Sequence, residues 1–300
     1  MNQDILQNCT LCPRCCGVNR LIEQKGFCGM GSTLVAARAA LHMWEEPCLV
    51  GKHGSGTVFF SGCTLKCVFC QNYQISTLNH GLEISCEKLA QAFLYLQEQG
   101  ALNINLVTPT HFVPQIIQAL HLAKNSGLRL PVVYNSSGYE NVSTVKILKG
   151  SIDIYMPDFK YHNDNLAIKY SNAPNYRQKA LEAIKAMLDQ VGEVQFDRNG
   201  IMQKGVLVRH MLLPNLLEDS KKAVRELYQL FGDRIYISLM SQYTPLSQVV
   251  AYAELNRRVK KSDYQKLVDY ALNLGISNGF VQKGESALES FIPDFNGVGL

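Results

Sequence analysis

Cys63, Cys67 and Cys70 stand in a C-x3-C-x2-C spacing, with the aromatic Phe69 directly before the last of them. Three thiolates this close can hold three corners of a [4Fe–4S] cube, because soft sulfur ligands suit iron–sulfur clusters. No fourth cysteine is local, so one iron of such a cube keeps no protein ligand. An open metal position binds a cofactor or substrate directly, as in other catalytic metal centres. Zinc is the rival occupant, but zinc knuckles usually come as two C-x2-C pairs, which this triplet is not. The preceding run from Gly56 to Gly62 is rich in β-formers and bounded by glycines, which reads as a strand. The triplet then lies on the loop leaving a strand's C-terminal end, where α/β barrels place their chemistry.

A second cysteine group opens the chain: Cys9, Cys12, Cys15, Cys16 and Cys28. A C-x2-C pair followed by glycine-flanked cysteines has the spacing of a tetrathiolate metal site. Adjacent residues do not easily both point inward. The expected ligands are Cys9, Cys12, Cys16 and Cys28, with Cys15 spare. Zinc and an auxiliary Fe–S cluster both fit four soft thiolates. Cys48 and Cys86 stand alone and read as packed or surface thiols.

The elements that position these groups alternate. Strand-like runs cover 58–61, 103–108, 131–135, 152–156, 205–213 and 234–239. Helix-like segments lie near 85–99, 111–126, 141–149, 174–190, 218–230 and 262–273. Strands alternating with helices predict β/α units on a parallel sheet. Six units fall short of the eight of a closed barrel. The expected fold is α/β: a partial (β/α)6 TIM-like barrel over residues 51–300, with a cysteine-rich extension over residues 1–50. Ser85 reads as a helix N-cap, and Gly100, Gly127, Gly150 and Gly232 fall where helices should stop.

Barrel logic puts ligand contacts at strand C-terminal ends, and each predicted strand ends in polar residues. Thr108 follows the second, Asn135 the third, and Asp158 and Lys160 the fourth; Arg209 lies on the fifth and Gln242 follows the sixth. Gln71 follows the triplet itself. Asp158 and Lys160 are two apart, so both face one side of an extended strand. An acid and a base there can bind hydroxyls and a carboxylate, and Arg209 can meet a carboxylate with two parallel bonds. His111 reads as a residue at a helix start rather than as a catalytic group.

Size and charge narrow the class. The 300 residues, 47% of them hydrophobic, suffice for one large core. A net charge of +4 without basic runs interleaved with aromatics gives nucleic-acid binding no support. The sequence holds neither a signal-peptide pattern nor an uninterrupted apolar stretch of about 18 residues, so no membrane association is expected. Ten cysteines in such a chain point to metal binding in a reducing compartment, the cytoplasm.

Taken together, these strings resemble the pyruvate formate-lyase-activating-enzyme-like group of the radical S-adenosylmethionine (SAM) superfamily. The resemblance runs through Glu45-Glu46-Pro47, the stretch from Gly54 to Tyr73, Met156 to Lys160, Arg209 to Pro214 and Ser241 to Tyr243. Cys12-Pro13-Arg14, Cys16 to Arg20 and Gly26 to Gly29 resemble that group's N-terminal signature. It implies a partial barrel with a [4Fe–4S] cluster on Cys63, Cys67 and Cys70, and SAM on the fourth iron. It also implies a flavodoxin or ferredoxin as electron donor and a 5′-deoxyadenosyl radical that abstracts hydrogen. The substrate would be a glycine of a glycyl radical enzyme, or a small metabolite. Residues for SAM would be Phe69, Gln71, Thr108, Asn135, Asp158, Lys160, Arg209 and Gln242. Two features depart from the pattern. Val107 to Thr110 stands where many members have Gly-Gly-Glu, and no ferredoxin-like cysteine insert follows Cys70. A metal-binding scaffold or electron carrier that does not cleave SAM is the competing reading.

Overall fold

The computed structural model describes residues 4–282 and 292–300. Its frame is a ten-stranded sheet. In chain order the strands are β1 (Leu34–His42), β2 (Ser55–Phe60), β3 (Leu82–Ile84), β4 (Ile104–Val107) and β5 (Val132–Ser136). They continue with β6 (Ile154–Pro157), β7 (Gln195–Phe196), β8 (Met202–Met211), β9 (Tyr236–Met240) and β10 (Gly279–Val281). The spatial order is β10-β9-β8-β6-β5-β4-β2-β1-β3, with β7 paired to β8. All neighbours from β2 to β10 along this path are parallel, which makes the fold an open, partial α/β barrel.

The six expected strands are β2, β4, β5, β6, β8 and β9. Every residue of β2, β4, β5 and β6 is buried. Burial on both faces explains why these strands read as short apolar runs rather than alternating ones. Helices return the chain between them, among them Cys86–Glu98, Val113–Asn125, Val142–Ile147, Tyr176–Val191, Leu217–Phe231 and Lys261–Asn273. Ser85 caps the first of these by accepting a 3.1 Å bond from the Lys88 N–H. Gly100 and Gly127 end two helices at φ of 85° and 101°, a left-handed turn that favours glycine. Helix Asp164–Ser171 was not expected; it sits in the connection after β6.

The N-terminal region departs from expectation in one respect. Its second half contains β1, which pairs antiparallel with β2 on one side and β3 on the other. Alanine favours helix, and four alanines in nine residues hide a strand. Pairing overrides that preference, because Ala36, Ala37 and Ala39 bury against the sheet. The outer edge of β1 is shared. β3 takes residues Leu34 to Ala36, and the segment near the C-terminus takes the next positions. There the Gly297 N–H meets the Ala37 carbonyl at 2.9 Å, and the Ala39 N–H meets the Val298 carbonyl at 2.8 Å. Among the described residues no helix is long and apolar enough to cross a membrane.

Candidate functional site

An open cleft lies at the C-terminal ends of the parallel strands. Cys63, Cys67 and Cys70 line it together with Phe69, Gln71, Thr108, Asn135, Asp158, Lys160, Arg209 and Gln242. The barrel thus gathers into one space every residue that the sequence offered for the triplet and its cofactor. His111 does not line it. Its ring is buried, its Nε2 lies 2.7 Å from the Ser61 carbonyl, and burial followed by the Arg20 charge lowers its pKa to about 3. It is a neutral packing histidine.

The loop after β2 carries the triplet, and each of its sulfurs receives one hydrogen bond. The Leu65 N–H donates to Cys63 Sγ at 3.3 Å, Ser76 Oγ to Cys70 Sγ at 3.3 Å, and Ser171 Oγ to Cys67 Sγ at 3.0 Å. Ser171 is itself 2.8 Å from the buried Tyr161 hydroxyl. Burial pushes the Cys67 thiol up to about 12; Lys160 opposes the rise, and Cys63 and Cys70 add to it. Burial also raises Cys70, with Cys63 beside it. As free thiols Cys67 and Cys70 stay protonated at neutral pH. A thiophilic cation would release their protons and offset the repulsion between the thiolates so formed. Among the described residues no group of three or more Cys, His, Asp or Glu side chains stands close enough together to hold a single metal ion. The donor chemistry, the shared cleft wall and the three hydrogen bonds nevertheless fit an iron–sulfur cluster.

Opposite the triplet lies an ion-pair hub. Parallel pairing with β8 continues past the end of β6 through a bridge between Asp158 and Arg209. The Arg209 guanidinium meets Asp158 Oδ1 at 3.0 Å, Glu45 Oε2 at 3.2 Å and Asn135 Oδ1 at 2.7 Å. These bonds use three of its five N–H donors, so donors remain for a ligand. Lys160 Nζ meets the other Asp158 oxygen at 2.6 Å. Burial alone would raise the Asp158 pKa, but Lys160 and Arg209 outweigh it and hold the carboxyl below its usual range. Burial wins at Glu45 and Glu46, whose carboxyls are both raised although Arg209 pulls them down. Asn105, one register step inside β4, donates to Glu45 at 3.1 Å.

Thr108 ends β4 with φ of 58°, a left-handed conformation that is an outlier for a β-branched residue. Its N–H is fixed by the Asn135 carbonyl at 2.9 Å. Strain of this kind is held by surrounding structure and clusters at ligand sites. On the far wall, Gln71 Nε2 bonds the Gln242 carbonyl at 2.9 Å, and Phe69 packs against Tyr243 with centroids 6.2 Å apart. Sequence reasoning missed Glu45 as a partner of Arg209, although its acidic pair before Pro47 was visible. It also missed Ser76 and Ser171, for which no local pattern exists.

Residues 57–227 match the radical SAM superfamily. The chain belongs to the radical SAM superfamily. It is 31% identical over 281 residues to uncharacterized protein MJ0674 of Methanocaldococcus jannaschii, covering 90% of this chain and 75% of that protein. It is 26% identical over 193 residues to the pyruvate formate-lyase-activating enzyme of Clostridium pasteurianum, covering 62% of this chain and 74% of that enzyme. Among solved structures, the FeFe-hydrogenase maturase HydG of Carboxydothermus hydrogenoformans superposes with a TM-score of 0.51 at 12% identity. That alignment covers 78% of this chain and 55% of HydG, and it supports the radical SAM fold alone.

Proposed function

We propose that the cleft is a radical SAM catalytic site, with a [4Fe–4S] cluster on Cys63, Cys67 and Cys70 and SAM beside it. The observation that carries this reading is the convergence of three hydrogen-bonded cysteines and eight polar or aromatic residues on one cleft. When bound, the cluster supplies an electron that cleaves SAM to methionine and a hydrogen-abstracting 5′-deoxyadenosyl radical. The chain's own residues bind and orient. Lys160 and Asn135 present a cation and an amide to the carboxylate and ribose of SAM. Asp158 accepts from ribose hydroxyls on whatever lone pairs Lys160 and Arg209 leave free. Arg209 holds Asp158, Asn135 and Glu45 in register and offers its spare N–H groups to the methionyl carboxylate. Thr108 turns its backbone toward the cleft where relatives carry an acid, and Gln71 and Gln242 close the wall behind Phe69.

The hydrogen donor is either a glycine of a glycyl radical enzyme or a small molecule, and the electron donor a flavodoxin or ferredoxin. Similarity to the clostridial activating enzyme favours the glycyl radical partner. The test is anaerobic reconstitution with iron and sulfide, then reduction with SAM and assay for 5′-deoxyadenosine. Product from the wild type and none from the Cys63→Ala, Cys67→Ala, Cys70→Ala variant supports the proposal. A fully reconstituted wild type that binds no SAM and forms no product sinks it and leaves the scaffold reading.

A further inference from the structure

We propose that Cys9, Cys12, Cys16 and Cys28 close on a second, tetrathiolate metal centre that braces the N-terminal loops against the loop carrying the cysteine triplet. Its occupant is a thiophilic metal, a single zinc ion or an iron–sulfur cluster.

Two tight loops carry the four thiols. The first closes on itself, with the Cys9 N–H on the Val18 carbonyl and the Gly17 N–H on the Cys9 carbonyl, both at 3.1 Å. The second turns at Gly26, whose carbonyl accepts from the Gly29 N–H at 3.0 Å. The loops meet at Cys16. A Cβ built on Gly26 would stand 2.4 Å from Cys16 Sγ, so only glycine lets the second loop approach that thiol. Cys9, Cys12 and Cys28 are buried, and Cys16 lies at the surface.

Cys15 is turned out of this set. Its thiol lies 3.5 Å from the Cys12 carbonyl and 3.6 Å from Asn141 Nδ2, whereas Cys16, equally exposed, abuts Gly26 of the second loop. A tetrathiolate centre carries net negative charge. Arg20 supplies a counter-charge beside Cys28; it is fully buried and donates to the Gly31 and His111 carbonyls. Glu140 opposes it near Cys12, but burial raises that carboxyl to about 7, so it carries only part of its charge at neutral pH.

The loops rest on the catalytic end of the barrel. Arg14 Nε donates to the Thr64 carbonyl at 2.9 Å, inside the cysteine triplet's own loop. Asn141 and Thr144, just beyond β5, donate to the Thr10 and Leu11 carbonyls at 2.7 and 2.8 Å. At Gly62, next to Cys63, an added Cβ would meet the Cys28 carbonyl at 2.8 Å. Fixing the four thiols would therefore fix the N-terminal loops against the loop that carries the triplet.

The test uses the full chain with Cys63→Ala, Cys67→Ala and Cys70→Ala, so that only the N-terminal set can retain metal. Elemental analysis should find about one zinc, or about four irons with sulfide, per chain. Adding Cys16→Ser should lower retained metal at least tenfold, whereas adding Cys15→Ser should leave it unchanged. Cobalt(II) added to the metal-stripped triple variant should give the visible absorption of a tetrahedral thiolate site, a reading that needs no further substitution. Stripping should also speed amide exchange at 137–144. A triple variant with native circular dichroism, negligible metal and no cobalt–thiolate absorption overturns the centre. Metal lost with Cys15→Ser but kept with Cys16→Ser overturns the ligand set, and unchanged exchange overturns the bracing.

Discussion

Replacing Arg209 by Met keeps side-chain length and removes the charge at the middle of the hub. Two carboxylates lose a partner, with side chains only 17% exposed at Asp158 and 9% at Glu45. Deleting one member of a buried ion pair costs roughly 3–5 kcal/mol, because the other charge is left unmatched. Asp158 keeps Lys160 at 2.6 Å, so most of the penalty falls on Glu45, which keeps only Asn105. Glu45 can limit that penalty by taking up a proton. The expected loss is therefore near the lower figure, about 3 kcal/mol at pH 8, or about two orders of magnitude in the folding equilibrium. The pH dependence has a definite sign. The Glu45 carboxyl is already raised in the folded protein, mainly by burial, and losing Arg209 raises it further. Between its ordinary pKa and the raised one, the folded state binds more protons than the unfolded state, so stability falls as pH rises. Urea unfolding near pH 5.5 and pH 8 should show a larger loss at the higher pH, and adding Glu45→Gln should recover part of it. A loss below about 1 kcal/mol at both pH values, or no recovery with Glu45→Gln, would refute the account of the hub.

Ser171→Ala removes the 3.0 Å hydrogen bond to Cys67 Sγ. A redox titration of the reconstituted cluster should then show a more negative midpoint, by about 59 mV if the reduced state loses tenfold in relative stability, with Ser171→Thr near wild type; an unmoved midpoint removes this serine from the cluster's surroundings. Gly138→Ala places a Cβ 2.2 Å from the Asp158 carbonyl at a φ of 76°. It should cost on the order of 2 kcal/mol or more in unfolding experiments and weaken SAM binding, and wild-type stability would contradict the packing described. In the metal-free chain, exposed Cys15 should be alkylated at neutral pH well before buried Cys67, whose thiol is pushed up to about 12. Peptide mass spectrometry of a timed iodoacetamide reaction decides the order.

Much of this site was legible because its signals are local. The triplet spacing, the glycines that stop helices and the polar residue after each apolar strand are all read within a few positions. The pairings that give the site its electrostatics are not local. Arg209 reaches Asp158 across 51 residues and Glu45 across 164, and Ser171 reaches Cys67 across 104. No spacing rule links such positions; only the strand register brings them together. The left-handed turn at Thr108 was equally hidden, since a threonine gives no sign that surrounding contacts hold it there. β1 was lost because its alanines favour helix until a neighbouring strand is present.

The divided edge of β1 bears on how the protein survives at high concentration. A free strand edge is a template on which a second copy can pair, and it seeds aggregation. Here β3 and residues 297–298 cover consecutive parts of that edge. Arg38 adds a 3.0 Å bond to the Asp294 carbonyl, a link spanning 256 residues of sequence. The edge on one flank of the cleft is thus shielded by a segment from the other end of the chain. Cutting the chain after residue 293 would leave the cysteine triplet intact yet bare part of a strand, so the first symptom should be self-association rather than lost cofactor chemistry.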